Sequence, residues 1–151
     1  MNDDSPIIIV NLKAYEQGYG ANGYDLCKIM EEIALEHKVN LAAAVSPIDL
    51  VDFSDNLDIP IFAQHVDGVN FGSHTGSILP EAVRYSGAVG TLVNHAECQM
   101  SWEEIEKTIN RCKELDLLTV LCTADIASSE KGSHLNPCLL YTSPSPRDTA
   151  I

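Results

Sequence analysis

A regular alternation of apolar runs and helix-like segments constrains the fold of this chain most strongly. The run Ile7-Ile8-Ile9-Val10 contains no polar position, which is typical of a strand buried on both faces of a parallel sheet. Similar runs recur about 28 residues apart on average. The pattern predicts five strands, at residues 7–11, 39–45, 59–63, 88–93 and 117–122.

Helical spacing appears between these strands. Residues 24–37 carry apolar side chains at helical intervals, and shorter helices are predicted at 47–53 and 79–85. The sequence Ser101-Trp102-Glu103-Glu104 is a capping-box pattern that opens a fourth helix. The resulting order, βαβαβαβαβ, predicts parallel strands joined by crossover helices.

The repeat length indicates a particular α/β architecture. Eight units of this length need about 220 residues, which is near the usual size of a (β/α)₈ barrel. We therefore predict the five N-terminal βα units of an incomplete (β/α)₈ barrel. An open doubly wound sheet is the alternative, but no strand is followed by a G-x-G-x-x-G turn.

The C-terminal segment differs in character from the rest. Its sequence CLLYTSPSPRD, at 138–148, resembles the translation of a transposon sequencing adapter, although a natural Ser/Pro-rich tail is the alternative. We expect a partial barrel domain at 1–137, which ends on the approach to a sixth strand, and a non-native tail at 138–151. The natural protein is accordingly expected to be longer.

Charge and cysteine content exclude several classes of function. A formal charge of -13 disfavours a nucleic-acid partner, and no apolar run is long enough for a membrane span. Five cysteines form no metal-like pairs, and an odd number without a secretion signal predicts free thiols. These features predict a cytoplasmic protein.

Polar side chains follow three of the predicted strands. The first strand ends in Asn11-Leu12-Lys13, the third is followed by Gln64-His65, and the fourth by Asn94-His95-Ala96-Glu97. Taken singly, Lys13 fits a solvated lysine, His95 a satisfied histidine, and Glu97 a carboxylate in the first turn of a following helix. Together they lie where parallel α/β folds gather functional groups, at the carboxyl ends of strands.

Five motifs carry a resemblance to a known family: VNLKAY at 10–15, FAQHVD at 62–67, GSHTG at 72–76, LPEAV at 79–83 and GAVGTLVNHAE at 87–97. The chain resembles the triosephosphate isomerases, especially their archaeal branch, from about residue 6 to 122, with a weaker match through 137. The resemblance implies a (β/α)₈ barrel that interconverts dihydroxyacetone phosphate and glyceraldehyde 3-phosphate through an enediolate, in glycolysis and gluconeogenesis. It implies no cofactor and no metal.

The resemblance also assigns roles by position. Lys13 contacts the phosphate and the enediolate, Asn11 hydrogen-bonds nearby, His95 is the electrophile, and Glu97 is the acidic neighbour of Lys13. A helix just beyond His95 is expected to favour the neutral imidazole. Thr75 resembles the loop residue that reaches into a partner subunit, so a homodimer or homotetramer is expected for the full-length protein.

Two departures from the family pattern stand out. Ala96 and Cys98 replace the usual residues after the histidine, and Ala96 lacks the hydroxyl that meets the catalytic base in the resting enzyme. That base is a glutamate after the sixth strand, and no residue here matches it or the later phosphate-binding segments. We therefore expect the 151-residue chain to be inactive.

Three alternatives stay open at this point. The chain could belong to another phosphosugar enzyme of the same fold, with Lys13 as a Schiff-base amine. It could be a non-catalytic α/β interaction module, in which loop 72–76 serves only binding. A metal site built from His65, Asp67 and His74 is the third, although their spacing matches no strong signature.

Overall fold

One parallel sheet organises the protein. The computed structural model describes residues 6–123. Its five strands lie in chain order and pair in parallel throughout: β1 Ile7–Asn11, β2 Asn40–Val45, β3 Ile61–Ala63, β4 Gly90–Val93 and β5 Leu118–Leu121. The predicted α/β fold of five βα units is confirmed. The predicted tail at 138–151 and the approach to a sixth strand lie outside the described residues.

Within the described region four helices connect the strands: α1 Gly20–His37, α2 Leu50–Asn56, α3 Pro80–Tyr85 and α4 Trp102–Glu114. A short 3₁₀ helix at Glu16–Gly18, which the sequence did not predict, precedes α1. The helix predicted at 47–53 begins three residues later. The reason is a turn in which the backbone N–H of Asp49 donates to the carbonyl of Ser46 at 3.0 Å, so Pro47 lies before the helix.

The sheet has a concave and a convex face. On the concave face Phe62 packs with Ala42, Ala44 and Leu92, and partly buried strand residues surround this cluster. The convex face, which the helices cover, holds the larger cluster that includes Phe53. Because successive strand residues alternate between faces, the side chains at strand ends turn toward either the concave mouth or the helices.

Burial of β1 differs from the prediction. The prediction of burial on both faces is wrong for the described residues, since Ile8 and Val10 are exposed while Ile7 and Ile9 are partly buried. Among residues 6–123, β1 is an edge strand that pairs only with β2, and no helix covers Ile8 and Val10. Only part of the apolar spacing in α1 faces the core: Cys27 and Met30 are buried, whereas Leu26, Ile29 and Ile33 are exposed.

The predicted capping box at the start of α4 is confirmed. The Ser101 hydroxyl accepts from the backbone N–H of Glu104 at 3.3 Å, and the Glu104 carboxylate accepts from the backbone N–H of Ser101 at 2.7 Å. Both contacts satisfy N–H groups that have no partner inside a helix. Hydrogen bonds from the Ser101 hydroxyl, and then from its backbone N–H, lower the pKa of Glu104.

We expect Ser101→Ala to reduce the free energy of unfolding by about 1 kcal/mol at neutral pH. The pKa of Glu104 is lowered in the folded state. The Glu104 carboxylate therefore contributes to stability above its pKa in the unfolded chain, about 4.3, and this contribution is lost as the pH falls through its pKa in the folded chain. The difference in the free energy of unfolding between Ser101→Ala and the parent chain should therefore be smaller at about pH 3. Urea unfolding at both pH values, followed by circular dichroism, measures this difference. The control is Glu106→Gln, at an exposed position, which should leave the unfolding curve unchanged at either pH.

Candidate active site at the carboxyl ends of the strands

Lys13 lies immediately after β1 in a tight turn. Its backbone has a φ of 54°, in the left-handed region that residues with a Cβ adopt at a cost. The Lys13 N–H donates to the Asn11 side-chain oxygen at 2.9 Å, which helps to hold this conformation. Leu12 is buried beneath the turn, and its N–H donates to the carbonyl of Ala44 on β2 at 3.0 Å. The turn thus projects the Lys13 side chain over the end of the sheet.

Gln64 braces this turn from the end of β3. Its side-chain Nε2 lies 2.9 Å from the Lys13 carbonyl, 3.2 Å from Asn11 Oδ1 and 3.3 Å from the Ala44 carbonyl. The amide therefore ties the ends of the first three strands together. The sequence indicated no role for Gln64. The sequence feature that could have indicated this role is a polar amide directly after a buried strand.

Asn94 performs a similar task at the end of β4. It has a φ of 57°, which asparagine tolerates better than most residues. Its Nδ2 donates to the Cys122 carbonyl at 3.0 Å, and its Oδ1 accepts from the Met100 N–H at 2.8 Å. Asn94 therefore anchors the segment that carries His95 and Glu97 to the end of β5, a role the sequence did not reveal.

His95 and Glu97 share a turn rather than a helix. The Cys98 N–H donates to the His95 carbonyl at 2.7 Å, and α4 begins only at Trp102. The helix predicted just beyond His95 is confirmed as α4, but Glu97 precedes its first turn. Hydrogen bonding within residues 95–98 forms a turn, which ends before the capping box of α4 begins.

The His95 ring has a defined hydrogen-bonding state. The backbone N–H of Glu97 lies 3.1 Å from His95 Nδ1, and an N–H can only donate, so Nδ1 is an acceptor. The Glu97 Oε2 lies farther from the same nitrogen, at 3.7 Å, and would form an ion pair only with a protonated ring. The shorter contact determines the state, which is a neutral imidazole with its hydrogen on Nε2.

Lys13 and His95 meet at the same residue, Glu97. Lys13 Nζ lies 2.9 Å from Glu97 Oε1, while Glu97 Oε2 faces His95 Nδ1. These residues come from strands that are not neighbours in the sheet, and they converge on its concave mouth. The structure thus brings Lys13, His95 and Glu97 together, with Asn11 beneath them, although their roles in a reaction stay predictions.

A small open cleft adjoins this cluster. It has a volume of about 210 Å³ and is lined by Lys13, Ala14, Tyr15 and Glu97. Because the cleft is open to solvent, within the part of the chain that the structure describes it can contact a small anion on one side only.

The remaining candidate residues lie outside this cluster. Thr75 is in the exposed loop 72–76, whose base is closed because the Ile78 N–H donates to the Asp67 carboxylate at 2.7 Å. Among residues 6–123, no group of three or more histidine, cysteine, aspartate or glutamate residues could hold a metal ion, so the alternative with His65 and His74 finds no support. Nor does any helix in this region have the length and apolarity to cross a membrane.

Three comparisons place these observations among known proteins. Residues 6–140 match the family model described as triosephosphate isomerase. Triosephosphate isomerase of Methanothermobacter thermautotrophicus is 41% identical over 141 residues, or 93% of this chain and 62% of that protein. The corresponding enzyme of Methanocaldococcus jannaschii is 39% identical, over 91% of this chain and 63% of that protein. The chain therefore spans about three fifths of the length of these relatives.

A solved structure shows the same fold. The crystal structure of triosephosphate isomerase from Bartonella henselae superposes with a TM-score of 0.67 and 16% sequence identity, over 78% of this chain and 51% of that one. At this identity the likeness concerns the fold alone.

Proposed function

Because this chain belongs to the triosephosphate isomerase family, we propose that its strand ends form one part of a site that interconverts dihydroxyacetone phosphate and glyceraldehyde 3-phosphate. One observation carries the proposal: a lysine ammonium and a neutral imidazole both bind Glu97 at the concave mouth, the first through the carboxylate and the second through the backbone N–H. A cation and an uncharged hydrogen-bond donor suit a reaction in which an uncharged carbonyl becomes an oxyanion.

The chemistry explains why these two groups are useful. Moving a proton between adjacent carbons passes through an enediolate, whose oxygens gain negative charge. Donors aimed at those oxygens stabilise the transition state more than the substrate, and so increase the rate. In this proposal Lys13 supplies a fixed positive charge. His95, with its hydrogen on Nε2 and its Nδ1 occupied by the Glu97 N–H, supplies the neutral donor.

Glu97 is proposed to hold both groups in place. Its carboxylate fixes the ammonium of Lys13 at 2.9 Å, and its backbone N–H fixes the tautomer of His95. The Asn11 amide and Gln64 support the turn below the lysine. Preorganised groups of this kind need not rearrange when charge develops.

The Schiff-base alternative gains no support from this geometry. Attack on a carbonyl needs a neutral amine, whereas Lys13 Nζ forms an ion pair with the Glu97 carboxylate at 2.9 Å. Borohydride trapping of a substrate adduct on Lys13 would revive this alternative.

The catalytic base is expected elsewhere. The family resemblance places it on a glutamate after the sixth strand, and no residue of this chain matches that glutamate. We therefore expect the 151-residue chain to show no turnover. A completed chain, in which residues 1–137 are followed by the remaining C-terminal part of the Methanothermobacter thermautotrophicus relative, is expected to be active.

The test compares these two proteins in both reaction directions, with the intact relative as the reference. Turnover by the completed chain and none by the 151-residue chain is the expected result. A folded but inactive completed chain would contradict the proposed function. Turnover by the 151-residue chain at the rate of the completed chain would instead contradict the assignment of the base.

Assembly and location extend the proposal. We infer a homo-oligomer for the full-length protein because Thr75 lies on an exposed loop whose base Asp67 closes. A cytoplasmic location is supported by the cysteines of the described region, which are free thiols: Cys27, Cys98, Cys112 and Cys122.

A further inference from the structure

A second cluster of reactive side chains lies beside the turn that carries Glu97. Cys98 Sγ lies 3.6 Å from His65 Nδ1, and His65 Nε2 lies 3.1 Å from Asp67 Oδ1. We propose that Cys98, His65 and Asp67 form a thiol site that reacts with low-molecular-weight disulfides. The three residues stand in the order nucleophile, base and orienting carboxylate, which is the arrangement that activates a cysteine.

Hydrogen bonding specifies which nitrogen of His65 faces the thiol. A carboxylate only accepts, so the contact with Asp67 places the ring hydrogen on Nε2. In the neutral ring with its hydrogen on Nε2, Nδ1 is the accepting nitrogen, and it is the one that faces Cys98. The other oxygen of Asp67 accepts the Ile78 N–H at 2.7 Å, and this contact holds the carboxylate in position. His65 can therefore take the thiol proton without first changing its tautomer.

The reaction balances as a thiol–disulfide exchange. His65 Nδ1 takes the proton of Cys98, and the resulting thiolate attacks one sulfur of the disulfide R–S–S–R. A bond forms between Cys98 Sγ and that sulfur while the S–S bond breaks, and R–S⁻ leaves as a thiolate that the imidazolium can protonate. The incoming disulfide is the only oxidant required.

Exposure distinguishes Cys98 from the other described thiols. Cys98 is exposed, whereas Cys27 and Cys112 are buried. Burial, together with the Glu31 carboxylate near Cys27, raises the pKa of that thiol to about 11. Burial likewise raises the pKa of Cys112 to about 11, and it raises that of the partly buried Cys122. Since the thiolate is the nucleophile, these three cysteines should react slowly in the folded chain.

The test uses bis(2-hydroxyethyl) disulfide. This reagent is uncharged, so the net charge of the protein does not affect its rate of reaction. The 151-residue chain is treated with excess reagent, the reaction is quenched with acid, and the adduct at each cysteine is quantified by peptide mass spectrometry. Cys98 is expected to react at least about tenfold faster in the folded chain than in urea. Cys27 and Cys112 should show the reverse.

His65→Gln is expected to lower the rate at Cys98 by about tenfold. An unchanged rate, or a native rate no greater than that in urea, would overturn the proposal. Circular dichroism and the rates at Cys27 and Cys112 show whether this variant still folds.

A second variant decides the question if His65→Gln unfolds. Ala96→Cys combined with Cys98→Ala moves the thiol to another exposed position of the same turn and leaves His65 and Asp67 intact. The thiol at 96 is expected to react about tenfold more slowly than Cys98. Equal rates would show that exposure alone explains the reactivity and would overturn the proposal.

Discussion

Lys13→Met in the completed chain is expected to lower kcat/KM by about 10³-fold in both directions. Methionine keeps the length and the apolar stem of the side chain but removes the charge that the proposal directs at the enediolate. Removal of one preorganised donor typically costs about 10²–10³-fold, and a full charge should lie at the upper end of that range. Steady-state assays with each triose phosphate measure the effect.

The matched control is Lys107→Met. Lys107 forms the same kind of ion pair, with its Nζ 2.7 Å from Glu103 Oε1, but on the exposed side of α4. This variant should leave kcat/KM unchanged, because Lys107 lies outside the candidate site and an exposed ion pair contributes little to the stability of the fold. Equal losses in both variants would indicate a general effect of charge removal and would contradict the role of Lys13.

The effect of His95→Gln in the completed chain distinguishes an enzyme from a non-catalytic module. Loss of a neutral donor in the transition state should reduce kcat by about 10²-fold or more while the unfolding transition stays in place. If the only effect is on stability, His95 is a structural residue and the interaction-module alternative regains support.

Phe62→Ala is expected to reduce the free energy of unfolding by about 3–5 kcal/mol. Phe62 is 2% exposed on the concave face, in a cluster whose other members are small or medium-sized. Gly90 on β4 makes room for its ring, since a Cβ built at Gly90 would lie 2.6 Å from Phe62 Cε1. The neighbouring strands cannot close the resulting cavity without breaking their pairing. A loss of this size is a large part of the total stability of a typical domain, about 5–15 kcal/mol.

Urea unfolding of the completed chain measures this loss. Tyr85→Ala is the control, because Tyr85 is 91% exposed and its removal should change the free energy of unfolding by less than about 0.5 kcal/mol. If Phe62→Ala does not fold, Phe62→Leu should still unfold at a lower urea concentration than the parent. A change below about 1 kcal/mol for Phe62→Ala would mean that the concave cluster is not a tightly packed core.

Several elements could be predicted from the sequence because their causes are local. The bounds of β1 match the prediction, and those of the other strands differ by only one or two residues at either end. The capping box at Ser101 depends on side chains within one helical turn, so four residues suffice to predict it. Alternating apolar runs and helical spacing likewise determine element type and order.

The errors came from neighbours that a local pattern does not contain. Four consecutive apolar residues predicted a strand buried on both faces, but exposure of Ile8 and Val10 depends on which elements lie beside β1. Leu26, Ile29 and Ile33 likewise lie at helical spacing in α1 but are exposed. In both cases, contacts outside the sequence pattern decided the outcome.

The sequence by itself determined the α/β class, the parallel order of the strands and the polar residue types at the strand ends. Only the tertiary structure decided which of those side chains meet. Lys13 and Glu97 are 84 positions apart, and His65 and Cys98 are 33 apart. The physical reason is that periodicity specifies which face of an element is buried, whereas contacts between distant side chains depend on strand register and on the turns that Asn11, Gln64 and Asn94 hold in place.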